Sequence, residues 1–311
     1  MISKGSCNAT SRPSSTALGV CTDVHTGWCF MMTKVKRPTS GPILLVIGIS
    51  ILGFSNNLLL IVFDSASVGQ FHFIRSIFIV FGILLVSKMM GLPVVPQQWT
   101  LMLMRTFCMV SAILLYFIAM PLMPITETGA GLFTSPIFVL IFSSIFLKEA
   151  IGLGQVTTVA IGICGVFLIL LPSLGQLTIF HLFPVGAGAT YAVASMLTFR
   201  YLRNESPLAI LMCFMIGIGI CGAAITTIFT ISPASAEWMS ETRFLFSPWM
   251  EVSLDYFLWV GLIAMLSLLA LVCITQAYQM TKTSQVAVYE YAYLTPWVFQ
   301  VICCGALRQR D

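Results

Sequence analysis

The chain has 311 residues, of which 58% are hydrophobic and 8% charged, against about 25% charged residues in ordinary soluble domains. With a mean hydropathy of +0.98, this excludes a soluble surface and describes a polytopic membrane protein with most of its length in lipid. The net charge of +4 implies no nucleic-acid partner, because Lys and Arg sit between apolar runs and form no patch.

Residues 1–41 are rich in Ser, Thr, Lys and Gly and lack the apolar core of a signal peptide, so they read as a disordered cytoplasmic tail. Met31-Met32, just before Lys34, Lys36 and Arg37, are an alternative start. Nine apolar spans follow, at 42–63, 70–88, 104–121, 124–147, 151–171, 183–200, 207–231, 255–276 and 284–306. Each is close to the ~20 residues that cross a ~30 Å hydrocarbon core as a helix. Seven of the ten cysteines (Cys108, Cys164, Cys213, Cys221, Cys273, Cys303 and Cys304) lie within these runs and read as small hydrophobes. The absence of a CxxC pair and of metal spacing predicts no zinc site.

The basic residues set the orientation. Lys34, Lys36, Arg37, Lys88, Arg105, Lys148, Arg200, Arg203 and Lys282 fall on one side of the membrane, whereas the opposite connections hold only Arg243. The positive-inside rule then puts the N-terminus in the cytoplasm. A ninth span leaves Arg308 and Arg310 on the outer face, an anomaly that a tenth span would remove.

The stretch from Pro124 to Pro172 comprises two apolar runs joined by the charged elbow Lys148-Glu149, a helical hairpin in a bilayer. Residues Gln285 to Gln309 lie over Ile125 to Glu149 without a gap. Pro296 then falls on Pro136, Thr295 on Ser135, Leu307 on Leu147, Arg308 on Lys148 and Gln309 on Glu149. The chain stops at Asp311 before any match to Ile151–Leu171, so the expectation is a second repeat cut short. Five spans, an odd number, make the second unit enter the membrane in the opposite sense, as in inverted-repeat transporters. The expected units are a tail at 1–41, a five-helix repeat at 42–172 and a four-helix repeat at 173–311.

Specific motifs accompany this pattern. They are Tyr116-Phe117-x-Ala119-Met120 followed by Pro124, Pro136-Ile137-Phe138, Leu147-Lys148-Glu149, Gly162-x-x-Gly165-Val166 and Pro172. In this order they resemble the EamA-type carriers of the drug/metabolite transporter superfamily. The segment Phe71 to Ser76, FHFIRS, looks like that family's second helix with its arginine, and Ala287-x-x-Glu290-Tyr291 resembles the matching part of its second half. The resemblance spans residues 42–311. It implies an all-α, ten-helix fold of two inverted repeats, here with nine helices, and transport of small metabolites driven by an ion gradient or by exchange.

Ionisable groups within a bilayer are functional candidates by default. Arg75 and Glu127 enter their spans from the same side at similar depth. They form a pair, or Arg75 holds a substrate carboxylate while Glu127 titrates, or both snorkel to the headgroups. His72 is one turn from Arg75 and either shares that site or is merely solvated. Glu290 is flanked by Tyr289, Tyr291 and Tyr293, with no basic residue within one turn to offset desolvation. It is either a proton carrier or a helix–helix hydrogen-bonding group. Tyr293 and Trp297 share a stripe, as a substrate platform or as packing. Asn56 and Asn57 are candidates for hydrogen bonds across helices.

These features point to a secondary transporter in the plasma membrane, the inner membrane in a bacterium. Its expected partners are a small-molecule substrate, the lipid bilayer, and protons or a counter-substrate; a homodimer is allowed, and no cofactor is implied. A receptor or structural subunit is the alternative. An intramembrane enzyme is disfavoured because HExxH, GxSxG and repeated aspartate clusters are all absent. Reporter fusions at Lys36, at Pro233 and after Asp311 are expected to read inside, outside and outside; an inside signal at Asp311 would mean that a span is miscounted.

Overall fold

The computed structural model describes residues 40–62, 65–119, 122–123, 125–132, 134–170, 178–233, 243–282 and 289. Its helices are α1 (Ser40–Val62), α2 (Val68–Met90), α3 (Trp99–Ala119), α4 (Ile125–Leu132), α5 (Ser135–Leu147) and α6 (Leu153–Leu170). A 3-10 turn at Ile179–His181 leads into α7 (Leu182–Arg200), followed by α8 (Pro207–Ile231), a short α9 (Arg243–Phe246) and α10 (Leu254–Met280). The described residues are all-helical with no strand, the architecture of a polytopic membrane protein. Five membrane-length apolar stretches stand out: Val68–Met90, Trp99–Ala119, Ile179–Arg200, Pro207–Ile231 and Leu254–Met280.

Local chemistry sets several boundaries. Ser67 caps α2 by accepting the Gln70 N–H, and the helix ends at Gly91, whose left-handed φ of 65° a glycine adopts at no steric cost. Ser253 caps α10 by accepting the Tyr256 N–H, with Asp255 in the first turn where the helix dipole favours an acid. Pro207 opens α8, where its missing N–H costs nothing.

The helices are apolar on both faces. Ile79, Ile83, Met215, Ile218 and Ala264 are buried in one core cluster, while Phe81, Phe107 and Ile220 are 66%, 73% and 65% exposed. In a bilayer the second set faces lipid, which is as apolar as the core. Burial therefore does not hold the helices together by itself; close packing and polar contacts must. The dominant packing pairs are α1 with α10, α2 with α8 and α3 with α7, with α4 and α5 lying along α7. Where α2 meets α8 the backbones nearly touch, because a Cβ placed on Gly222 would sit 2.5 Å from the Gly69 carbonyl oxygen.

Two expectations are corrected. The run 124–147 is described not as one helix but as two, α4 and α5, with Thr134 outside both. Thr134 folds back at the break, its N–H and hydroxyl both bonding to the Gly131 carbonyl at 3.1 and 2.7 Å. The third helix starts at Trp99 rather than near 104, so Arg105 lies inside the helix and only 4% exposed, not in a connection. The span 284–306 and the tail lie outside the described residues, apart from Tyr289.

The contacts sort the helix termini into two ends. Glu205 bonds to Gln97 and Gln98, and Gln279 bonds to Leu202 and Glu205, which brings 88–99, 200–207 and 279–282 to one end. This end carries Lys88, Arg200, Arg203 and Lys282, with Lys148 joining them because α4–α5 runs parallel to α7. It is called the basic end below. Ser67, Gln70, Thr226 and Met250 meet at the other. Because Gly222 has no room for a side chain, Gly222→Val is expected to destabilise the fold by about 1–3 kcal/mol and to lower the melting temperature in detergent; an unchanged melting temperature would contradict the α2–α8 contact.

Candidate functional site

One polar cluster forms in the half of the bundle remote from the basic end. Arg75 and His72 are one turn apart on α2, so their side chains lie on the same face. An Arg75 Nη is 3.4 Å from His72 Nδ1, and the two residues are 9% and 6% exposed. The guanidinium carbon sits 5.3 Å from the centre of the Phe71 ring. The imidazole meets Phe71 and, across the interface with α3, Phe117, at ring separations of 5.4 and 5.0 Å. Gly222 of α8 closes the third side, its missing side chain leaving room for His72. Arg75 Nε and His72 Nε2 are buried with no hydrogen-bond partner among the described residues. An arginine donates and never accepts, so this aromatic-walled cluster keeps unused donor capacity.

Glu127 does not join it. Its carboxylate oxygen is 3.0 Å from His181 Nε2, and Arg75 makes no ion pair with it. The expectation of an Arg75–Glu127 pair fails because α4 packs along α7, which brings Glu127 to the turn that starts that helix. The close approach of Gly131 to Pro184 fixes the same alignment. His181 Nδ1 lies 3.2 Å from the Thr178 hydroxyl and 3.0 Å from the Thr178 carbonyl, which orients the ring toward Glu127. Sequence reading missed His181, since it sits in a connection 54 residues from its partner.

Next to Asn56 a serine links two helices. Ser55, fully buried, reaches the Ile263 carbonyl and the Ser267 hydroxyl at 3.2 and 3.1 Å, joining α1 to α10. Asn56 is exposed. The side chain of Asn57, and Glu290, Tyr293 and Trp297, lie outside the described residues.

Both ends of the bundle are tied by polar contacts. At the basic end Glu205, 7% exposed, accepts the Gln97 and Gln98 N–H groups at 2.9 Å each, capping the start of α3 from the α7–α8 turn. The Gln279 amide of α10 donates to the Leu202 and Glu205 carbonyls at 2.8 and 2.7 Å. At the other end Gln70 and Met250 exchange a reciprocal pair of bonds at 2.8 and 3.0 Å. Trp249 reaches Thr230 and Thr227. A crevice of about 490 Å³ between α5 and α6 is lined by aliphatic side chains and Ser144. Ile145 and Val156 in its wall are 62% and 49% exposed, which makes it a lipid-facing seam and not a polar site. No metal-binding cluster of His, Cys, Asp and Glu occurs among the described residues.

Residues 39–171 match the model of the EamA-like transporter family. A riboflavin transporter of Brucella anthropi is 27% identical over 146 residues, covering 44% of this chain and 51% of that protein. A riboflavin transporter of Vibrio cholerae serotype O1 is 32% identical over 112 residues, 36% of this chain and 38% of its own length. The chain thus spans about half, or less, of the curated relatives that it matches. One crystal structure at 15% identity superposes with a TM-score of 0.64 over 85% of this chain and 86% of its own, which shows the shared fold. Over residues 39–171, less than half of its length, the chain is thus similar to the EamA-like transporter family.

Proposed function

We propose that this protein is a secondary carrier that moves a small, flat heteroaromatic solute of the riboflavin kind across the membrane by alternating access. The observation that carries the reading is the Arg75–His72 cluster, a buried pair of donors with unused hydrogen-bonding capacity between Phe71 and Phe117. Ring carbonyls of such a solute match the donors, and its π-face matches the phenyl rings. The two relatives named for riboflavin transport support the same solute class.

Alternating access needs two ends that open in turn. The Glu205–Gln97/Gln98–Gln279 contacts and the Gln70–Met250 contacts serve as the two closures. The packing supports an inverted duplication at 42–172 and 173–311. If α1, α2 and α3 correspond to α7, α8 and α10, then the α1–α10 and α3–α7 pairs exchange and the α2–α8 pair maps onto itself. With the basic end in the cytoplasm, the Arg75 cluster belongs to the outer half. Glu290 is the proposed proton carrier, since Glu127 is engaged with His181.

In proteoliposomes, radiolabelled riboflavin should accumulate against its gradient or by counterflow; absence of both would overturn the solute assignment. Arg75→Ala should weaken riboflavin binding about tenfold or more, because a hydrogen bond to a charged donor contributes roughly 1.5–3 kcal/mol. Arg75→Lys should rescue only in part, because a point charge cannot reproduce the planar fork. Glu290→Gln should spare binding and remove the dependence of uptake on a proton gradient; unchanged gradient dependence would remove Glu290 from the coupling.

A further inference from the structure

Arg105 belongs to neither the Arg75 cluster nor the Glu127 pair. It lies six residues into α3 from the basic end, roughly 9 Å along the axis, in the half of the bundle opposite to Arg75. Its Nε donates to the Thr198 hydroxyl of α7 at 3.3 Å, and its guanidinium carbon is 5.8 Å from the Phe214 ring centre of α8. Arg105 is 4% exposed, Nη1 has no partner, and no described carboxylate lies within ion-pair distance. The neighbouring Thr106 hydroxyl is also buried without a partner. Between this group and the basic end lies an apolar layer of Met102, Leu202 and Ile210, each fully buried. Over that layer sit the Glu205 contacts, whose members Gln98 and Glu205 are each seven residues from Arg105 and Thr198 respectively. A polar closure, an apolar layer and an unsatisfied guanidinium thus follow one another inward from one end. At the other end Gln70, of the Gln70–Met250 contacts, lies on the same helix as Arg75, one to two turns away.

We propose that Arg105, with Thr198 and the Phe214 ring, is a second solute-binding station, reached when the Glu205 contacts release, and that it takes an acceptor oxygen of the solute, a carboxylate or a ring carbonyl. The inference rests on the carrier reading for its purpose but not on riboflavin being the solute. No described carboxylate pairs with the guanidinium, and an oxygen of the solute would take the open Nη1 donor. Phe214 supplies a flat wall for the body that carries that oxygen, as Phe71 does for Arg75.

The test labels Thr198→Cys in the full-length chain in membranes with an anionic and a cationic methanethiosulfonate. Labelling is read at that position by peptide-resolved mass spectrometry, with rates normalised to a free thiol. The anionic reagent should react about tenfold faster or more, because an unpaired cation attracts it at short range. Arg105→Lys should keep the preference and Arg105→Gln should lose it, the lysine variant guarding against a mere folding defect. Glu205→Gln should speed labelling by both reagents. Sodium benzoate that slows labelling marks a carboxylate site, and riboflavin that slows it marks a ring-carbonyl site. No labelling by either reagent, equal rates for both, or protection by neither compound would overturn the station. None of these readouts requires transport, so a failure of the riboflavin assay and a failure of this site remain distinguishable.

Discussion

A guanidinium inside hydrocarbon must be paired, hydrogen-bonded or reachable by water, because its desolvation costs several kcal/mol. Arg75 and Arg105 lie in opposite halves of the bundle, and neither is met by a described carboxylate. Each keeps one donor unbonded and rests against a phenyl ring. A packing role would favour a neutral residue at either position. Much of the surrounding structure serves to hold these two charges: the α2–α8 glycine contact that seats His72 beside Arg75, and the α3–α7 pairing that brings Thr198 to Arg105.

Helix association in this protein depends on small residues and hydrogen bonds more than on burial. Lipid is as apolar as Ile79 or Met215, so moving such side chains from lipid into the core gains little beyond packing. Specific contacts decide which helices meet. Gly69 and Gly222 let α2 and α8 touch, Ser55 and Ser267 join α1 to α10, and Glu127 with His181 fixes α4 on α7. These contacts are local and few, and those at the two ends involve different residues. The proposed access from alternate sides calls for such separate sets of contacts at the two ends.

Most of the fold was legible in the sequence because bilayer thickness fixes the length of an apolar run. Seven of the nine spans correspond to single described helices, the fourth to a pair, and the ninth, apart from Tyr289, lies outside the described residues. The break at Thr134 was hidden, since α4 and α5 are both apolar and only Thr134 and Pro136 mark the join. Arg105 was misplaced because a charge was taken to end a span. The apolar run Leu101 to Met104 just before it was the signal that the helix had already begun. His72 and Arg75 were found together because their spacing of three places them on one helical face. His181 and Glu205 were missed for a different reason: both lie in connections, and their partners are set by tertiary packing that no local pattern encodes.

Under the proposed mechanism the basic end opens around Arg105 when the Glu205 contacts release. Double electron–electron resonance between spin labels at Gln97 and Arg203, both exposed beside those contacts, tests it most directly. The account predicts two distance populations, with Glu205→Gln shifting weight to the longer one while a Ser65–Ser232 pair at the other end does not lengthen with it. A single Gln97–Arg203 distance, unchanged by Glu205→Gln, would contradict the account.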